Sequence, residues 1–108
     1  LWARGLGVRR APTRARRYYG QACKLRHAGA CMITGRMCVL GHGGAQDFKA
    51  ARRHFAAGCQ GGHAQACHEL AQLWRQGLGG PRDAARGRQL RQRACKQGWT
   101  AACRPTPR

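Results

Sequence analysis

Cysteine carries the most evident chemistry in this sequence, because seven cysteines occur among only 108 residues. This density exceeds that of an ordinary cytosolic domain and indicates either disulfides formed in an oxidising compartment or a metal site. Six of the cysteines form three C-x7-C pairs that recur every 36 residues. The paired cysteines are Cys23, Cys31, Cys59, Cys67, Cys95 and Cys103. Cys38 lies outside the pairs.

A zinc site is one interpretation of these pairs, because a histidine lies between the two cysteines of the first and second pairs. His27 and His63 occupy equivalent positions, whereas Trp99 takes that position in the third pair. The spacing also lacks the short cysteine knuckle that is typical of zinc sites. We therefore predict no metal site and no cofactor, and we expect both histidines to be loop residues.

Cys38 falls at the position that Trp2 and Trp74 occupy in the neighbouring repeats. One interpretation is a small core residue at a place where a bulky side chain normally packs. The other is a reactive thiol that is available for pairing with a second chain. No adjacent acid or base supports nucleophilic catalysis, so we predict a free thiol and favour the core position.

Enzymatic chemistry finds little support in the residue types. The chain contains no serine, which excludes a serine nucleophile and the S-x-x-K motif within this sequence. Asp47, Glu69 and Asp83 are its only acidic residues, so a catalytic carboxylate pair is also unsupported. We predict no catalytic residue.

The net charge of +18 favours anionic partners. Several arginines fall on predicted helices and are candidate contacts, although a solvated basic face is the simpler explanation. These candidates are Arg52, Arg53, Arg86, Arg88 and Arg93. The aromatic residues fall in core positions and form no stacking platform, so we expect only non-specific, salt-sensitive binding to nucleic acid.

The whole chain repeats with a period of 36 residues, which defines its organisation. Residues 1–7 match residues 73–79, two periods away, at five of seven positions. We therefore treat residues 1–108 as one repeat array. Its units are a partial repeat at 1–22, full repeats at 23–58 and 59–94, and a truncated repeat at 95–108.

Each repeat predicts two helices. Cys67, Leu70, Ala71 and Trp74 recur at the spacing of one face of an amphipathic helix. A following G-x-G motif ends this helix, and an aspartate begins the next one. These signature residues are Gly41, Gly43, Asp47, Ala51, Gly77, Gly79 and Asp83. The predicted helices are 12–24, 28–40, 46–60, 64–76 and 82–97.

Helix hairpins of this kind predict an all-α fold. Ala30, Ala66 and Ala102 recur at one helix position, where small side chains allow neighbouring helices to approach closely. Stacked α/α hairpins then form a right-handed superhelical solenoid.

The sequence resembles the Sel-one-like repeats, which are relatives of the tetratricopeptide repeats, and within them the cysteine-rich Hcp-type subgroup. The resemblance rests on the segments at 41–55 and 70–83 together with the three C-x7-C pairs. Three positions depart from the family pattern: Ala11 replaces an expected aspartate, Gly87 replaces a small alanine, and Arg91 stands where Tyr19 and Phe55 occur.

The resemblance implies a disulfide within each pair, so that the repeats are bridged. The implied bonds are Cys23–Cys31, Cys59–Cys67 and Cys95–Cys103. Closing so short a loop stabilises a fold by about 2.5 kcal/mol in the chain-entropy model. Relatives in this subgroup are often described as penicillin-binding or beta-lactamase-like, which makes a hydrolase the alternative function.

The predicted function is a monomeric repeat scaffold that binds a protein or peptide, with preference for an acidic one, in the groove of the solenoid. A hydrolase is the alternative, and non-specific binding of anionic polymers is a lesser one. We predict a secreted or periplasmic location from the disulfides and no membrane span.

Overall fold

The computed structural model describes the backbone of residues 4–103 and the side chains of residues 12–103. Its elements are α1 (Arg4–Lys24), α2 (Ala28–Leu40), α3 (Phe48–Gln60), α4 (Ala64–Gln76), α5 (Ala84–Lys96) and a 3-10 turn at Thr100–Cys103. Residues 4–103 contain no β-strand. The predicted all-α class is therefore confirmed, and the remaining residues of the 1–22 and 95–108 units lie outside this description.

The helices stack in chain order as antiparallel hairpins. α2 packs against α3 and α4 packs against α5, while α1–α2 and α3–α4 contacts join one hairpin to the next. The resulting array is elongated, with principal dimensions of 47 × 25 × 23 Å. These contacts confirm the prediction of a helical-hairpin repeat solenoid.

Aspartate side chains start two of the helices. Asp47 accepts a hydrogen bond from the amide of Ala50 at 2.9 Å, and Asp83 accepts one from the amide of Arg86 at 3.0 Å. Each aspartate is the N-cap residue, so α3 and α5 begin two residues later than the predicted 46 and 82. The predicted bounds of α2 and α4 agree with the structure.

The first helix differs most from its prediction, because α1 begins at Arg4 rather than at residue 12. Ala11 stands where Asp47 and Asp83 cap α3 and α5, and it has no side-chain oxygen to accept from free backbone amides. The signal that would separate a new helix from the preceding one is therefore missing. Pro12 lies inside the continuous helix instead.

Histidine side chains start α2 and α4. His27 and His63 lie in loops, as predicted, but each also caps the helix that follows. The Nδ1 atom of His27 accepts from the amide of Ala30 at 3.0 Å, and that of His63 accepts from the amide of Ala66 at 3.3 Å. Helix capping therefore accounts for the recurring Cys-His-Cys pattern without a metal.

Small residues hold the helices together over most of the core. Ala30, Ala66 and Ala102 are all at most 3% exposed, which agrees with close helix approach at this repeated position. Among residues 12–103, Phe55 is the largest fully buried side chain, and it packs directly over Gly35. A Cβ atom at Gly35 would lie 2.6 Å from the ring of Phe55, so only glycine leaves room for the ring.

We expect Gly35→Ala to lower the free energy of unfolding by about 1–3 kcal/mol, because the added methyl group overpacks the core beneath Phe55. Gly20→Ala is the matched control, since its Cβ would meet no atom nearer than 4.0 Å. That change should stabilise α1 by about 0.5–1 kcal/mol through helix propensity. Urea denaturation measures both values, and equal effects of the two changes would contradict this packing.

Candidate binding groove

Disulfides join consecutive helices at each corner of the array. Every bond links the end of one helix to the element that follows, with Cα–Cα separations between 4.5 and 4.8 Å. The bonded pairs are Cys23–Cys31, Cys59–Cys67 and Cys95–Cys103. Cys38 has a free thiol and is only 1% exposed, within the main hydrophobic cluster.

The bonded state of these cysteines bears directly on the zinc alternative. A cysteine in a disulfide has no thiolate to donate to a metal. His27 and His63 also use Nδ1 for capping. Within residues 12–103, no group of three or more histidine, cysteine, aspartate or glutamate side chains is arranged to hold a metal ion.

Arg52, one of the candidate contacts named from the sequence, has a structural role. Its side chain is only 9% exposed and passes beneath the turn between α4 and α5. The guanidinium donates to the carbonyl oxygens of Leu78, Leu73 and Pro81 at 2.7, 3.1 and 2.8 Å. It also lies 4.3 Å from the centre of the Trp74 ring, a cation–π distance.

Arg16, one period earlier, makes the equivalent contacts. Its guanidinium donates to the carbonyl of Ala45 at 3.0 Å in the turn between α2 and α3. Cys38 replaces the tryptophan here, and its Sγ atom accepts from Arg16 at 3.3 Å. An arginine at this repeat position therefore holds the turn of the following hairpin in both units.

Two clefts open on the side of the array that α1, α3 and α5 form. The first cleft lies between α1, α2 and α3 and has a volume of about 310 Å³. The second lies between α3, α4 and α5 and has a volume of about 340 Å³. Because lining residues of the first recur 36 positions later in the second, the clefts are equivalent sites of successive repeats. Together we call them the binding groove.

The first cleft has a cationic edge. Its lining includes Arg16, Arg17, Gln21, Lys24, Cys38 and His54. Burial lowers the pKa of His54, and the positive charges of Arg53, Arg16 and Lys24 lower it further, whereas Asp47 raises it. The positive potential in this cleft therefore disfavours a further positive charge and favours a bound anion.

The second cleft combines an apolar floor with a basic rim. Leu70, Trp74 and Leu90 supply the floor, and three exposed arginines stand around it. Those arginines are Arg53, Arg86 and Arg93. The guanidinium of Arg86 lies 4.8 Å from the centre of the Trp74 ring. Unlike the buried Arg52, Arg86 is exposed.

The structure thus divides the five arginines proposed from the sequence. Arg53, Arg86 and Arg93 line the second cleft, whereas Arg52 mainly supports the turn below it. Arg88 is exposed on α5 and is not part of either cleft lining. Charge alone could not separate these roles, because all five side chains have the same chemistry. The histidine caps and the first cleft were also missed from the sequence.

The combination of stacked helix hairpins and a 36-residue period defines a helical-hairpin repeat protein. The family description "Sel1 repeat" matches residues 3–27, 28–63 and 64–99. The chain therefore belongs to the Sel1 repeat family. These family units begin five residues later than the units drawn from the cysteines, at 28 rather than 23 and at 64 rather than 59.

Solved structures share this fold at low sequence identity. Helicobacter pylori cysteine rich protein B superposes with a TM-score of 0.78 at 22% identity, over 82% of this chain and 66% of that protein. A Sel1 repeat protein from Oxalobacter formigenes gives 0.79 at 22% identity, over 83% and 37%. The protective antigen c5321 of uropathogenic Escherichia coli gives 0.82 at 23% identity, over 93% and 21%.

This chain therefore spans 66% or less of the length of each of these proteins. No curated protein matches it at a significant level. The three disulfides indicate that the chain folds in an oxidising compartment. None of the helices in residues 4–103 combines the length and the apolar character that crossing a membrane requires.

We expect Arg52→Ala to lower the free energy of unfolding by about 3 kcal/mol, because three carbonyls, two in the turn and one in α4, lose a charged hydrogen-bond donor. Arg53→Ala is the matched control: the neighbouring side chain is exposed, and its loss should change stability by less than about 0.5 kcal/mol. Urea denaturation of the oxidised chain measures both. Similar small effects would show that Arg52 does not support the turn.

We expect mass spectrometry of the unreduced chain to find three linked peptides, one for each C-x7-C pair. Cys38 should react with an alkylating reagent only after unfolding, because its side chain is 1% exposed. Removing one bond by a double Cys→Ser change should cost about 2.5 kcal/mol of stability. Alkylation of any of the six paired cysteines without a reductant would contradict the disulfides.

Proposed function

We propose that this chain is a repeat scaffold that binds a partner protein in the binding groove. The observation that supports the proposal is the pair of equivalent clefts on one side of the array. A continuous row of such clefts suits an extended peptide segment, whose successive side chains enter successive sites. Sel1 repeats are typically protein-interaction modules, which agrees with this reading.

Partner specificity follows from the lining chemistry. None of the three acidic residues of the chain lines either cleft, whereas at least three cationic groups surround each. Asp47 and Asp83 are instead occupied as helix caps. An acidic partner segment is therefore favoured by charge complementarity. The chain acts as a monomer in this proposal, because the groove lies within a single array.

A secreted or periplasmic location accompanies the proposal. Three disulfides in 108 residues need an oxidising compartment during folding, and the bacterial periplasm and the extracellular space both provide one. Nothing in the described residues favours the beta-lactamase-like alternative, so we do not propose it. Binding of anionic polymers to the basic surface is treated as background that salt removes.

Selection from an unbiased displayed peptide library tests the proposal. The oxidised chain is the bait at about 0.3 M salt, where the Debye length of roughly 5–6 Å suppresses long-range attraction. Arg53→Glu/Arg93→Glu reverses two exposed charges on the second cleft and should abolish binding of the selected peptides. We expect at least a tenfold loss of affinity.

Arg36→Glu/Lys49→Glu is the matched control, because it makes the same change in net charge at exposed positions outside both clefts. The selected peptides should bind this variant with nearly unchanged affinity at 0.3 M salt. If both variants lose the same affinity, binding depends only on the net charge of the chain. A library that yields no groove-dependent peptide would overturn the proposed function.

A further inference from the structure

The two clefts share one backbone geometry but differ in the side chains on their floors. Cys38 and His54 in the first cleft correspond to Trp74 and Leu90 in the second. Thr34 of the first cleft likewise corresponds to Leu70. The first cleft therefore lacks the large apolar side chains of the second, so equivalent sites should accept different side chains.

The first cleft suits carboxylates. Arg17 and Lys24 are exposed at its edge and His54 is half-buried in it, while Arg16 is fixed to the turn carbonyls behind it. Burial is the first cause of the lowered pKa of His54, and the positive charges of Arg53, Arg16 and Lys24 lower it further against the smaller opposing effect of Asp47, so these charges give the cleft a positive potential. A ligand that brings a carboxylate would offset this potential.

The second cleft suits an apolar side chain. Trp74 and Leu90 are half-buried and supply the accessible apolar surface of this cleft, above the buried Leu70. Contact with this floor would bury apolar surface on both partners, which is the typical anchor of a peptide in a groove. The rim of exposed arginines around the floor favours an acidic sequence on either side of the anchor.

Helix α3 lies between the clefts and sets their spacing. One α-helix with its side chains is about 10–12 Å across, and an extended peptide advances about 3.3–3.6 Å per residue. Side chains that enter neighbouring clefts are therefore about three residues apart in the partner. This spacing distinguishes a two-site ligand from a peptide that is merely acidic.

We propose that the groove binds an extended acidic segment of a partner protein, with carboxylates in the first cleft and one apolar side chain, about three residues away, in the second. This inference rests on the proposed function and specifies its ligand. The two clefts then bind the segment together: charge attracts it, and the apolar side chain in the second cleft fixes its register.

Synthetic peptides test this arrangement directly. Each carries two adjacent aspartates and a leucine three residues away, in both chain directions and with neutral ends. Fluorescence anisotropy at about 0.3 M salt measures their affinity for the oxidised chain. In the direction that binds, replacing the leucine by alanine should weaken binding about tenfold. Replacing both aspartates by asparagine should weaken it at least tenfold.

A variant of the chain separates the two clefts. Arg17→Glu/Lys24→Glu alters only exposed side chains of the first cleft, so the fold should be retained, as thermal melting verifies. In this variant the aspartate-to-asparagine change should no longer weaken binding. The leucine-to-alanine change should keep its effect. Arg36→Glu/Lys49→Glu, which has the same net charge, should retain both effects.

Equal affinity with leucine or alanine, or with the leucine moved by two residues, would overturn the paired sites. If library peptides depend on the groove but lack this pattern, the proposed function stands and this inference fails. If no peptide depends on the groove, both fail. If neither peptide change weakens binding to Arg36→Glu/Lys49→Glu, binding depends only on the net charge of the chain.

Discussion

Close approach of the helices at each disulfide corner is the constraint on which the rest of the structure depends. A Cβ atom at Gly58 would lie 2.9 Å from the Cβ of Ala66 and 3.1 Å from the carbonyl oxygen of Ala28, on two other helices. The Cys59–Cys67 bond closes the same corner. Large buried side chains are few, so covalent bonds and backbone contact replace much of the stabilisation that a larger core would provide.

Arginine supplies the second link between hairpins. Arg16 and Arg52 extend from one hairpin to the turn of the next and satisfy carbonyl oxygens that the G-x-G turns leave free. A neutral side chain of this length could not donate to three carbonyls at once, whereas a guanidinium has five N–H groups. The high arginine content thus has two separate causes: a structural position in the repeat, and exposed charges around the groove.

The sequence predicted those features that depend on local signals. Asp47 and Gly41 lie at helix ends, because capping and positive φ depend only on residues a few positions away. The 36-residue period then places the helices in register. The start of α1 was missed because Ala11 removes one such signal. Burial of Arg52 was missed because it depends on a turn 26 residues away.

The clefts show a similar division between the residues that support the backbone and the residues that line the floor. Disulfides and turn-holding arginines fix the backbone of each repeat, so the side chains of the cleft floor do not have to stabilise the stack alone. Cys38 can replace a tryptophan, and His54 a leucine, while the geometry of the repeat is retained. A solenoid of this kind separates the residues that build the groove from those that determine what enters it. Differences between equivalent floor positions, rather than the overall charge, therefore carry the information about the partner.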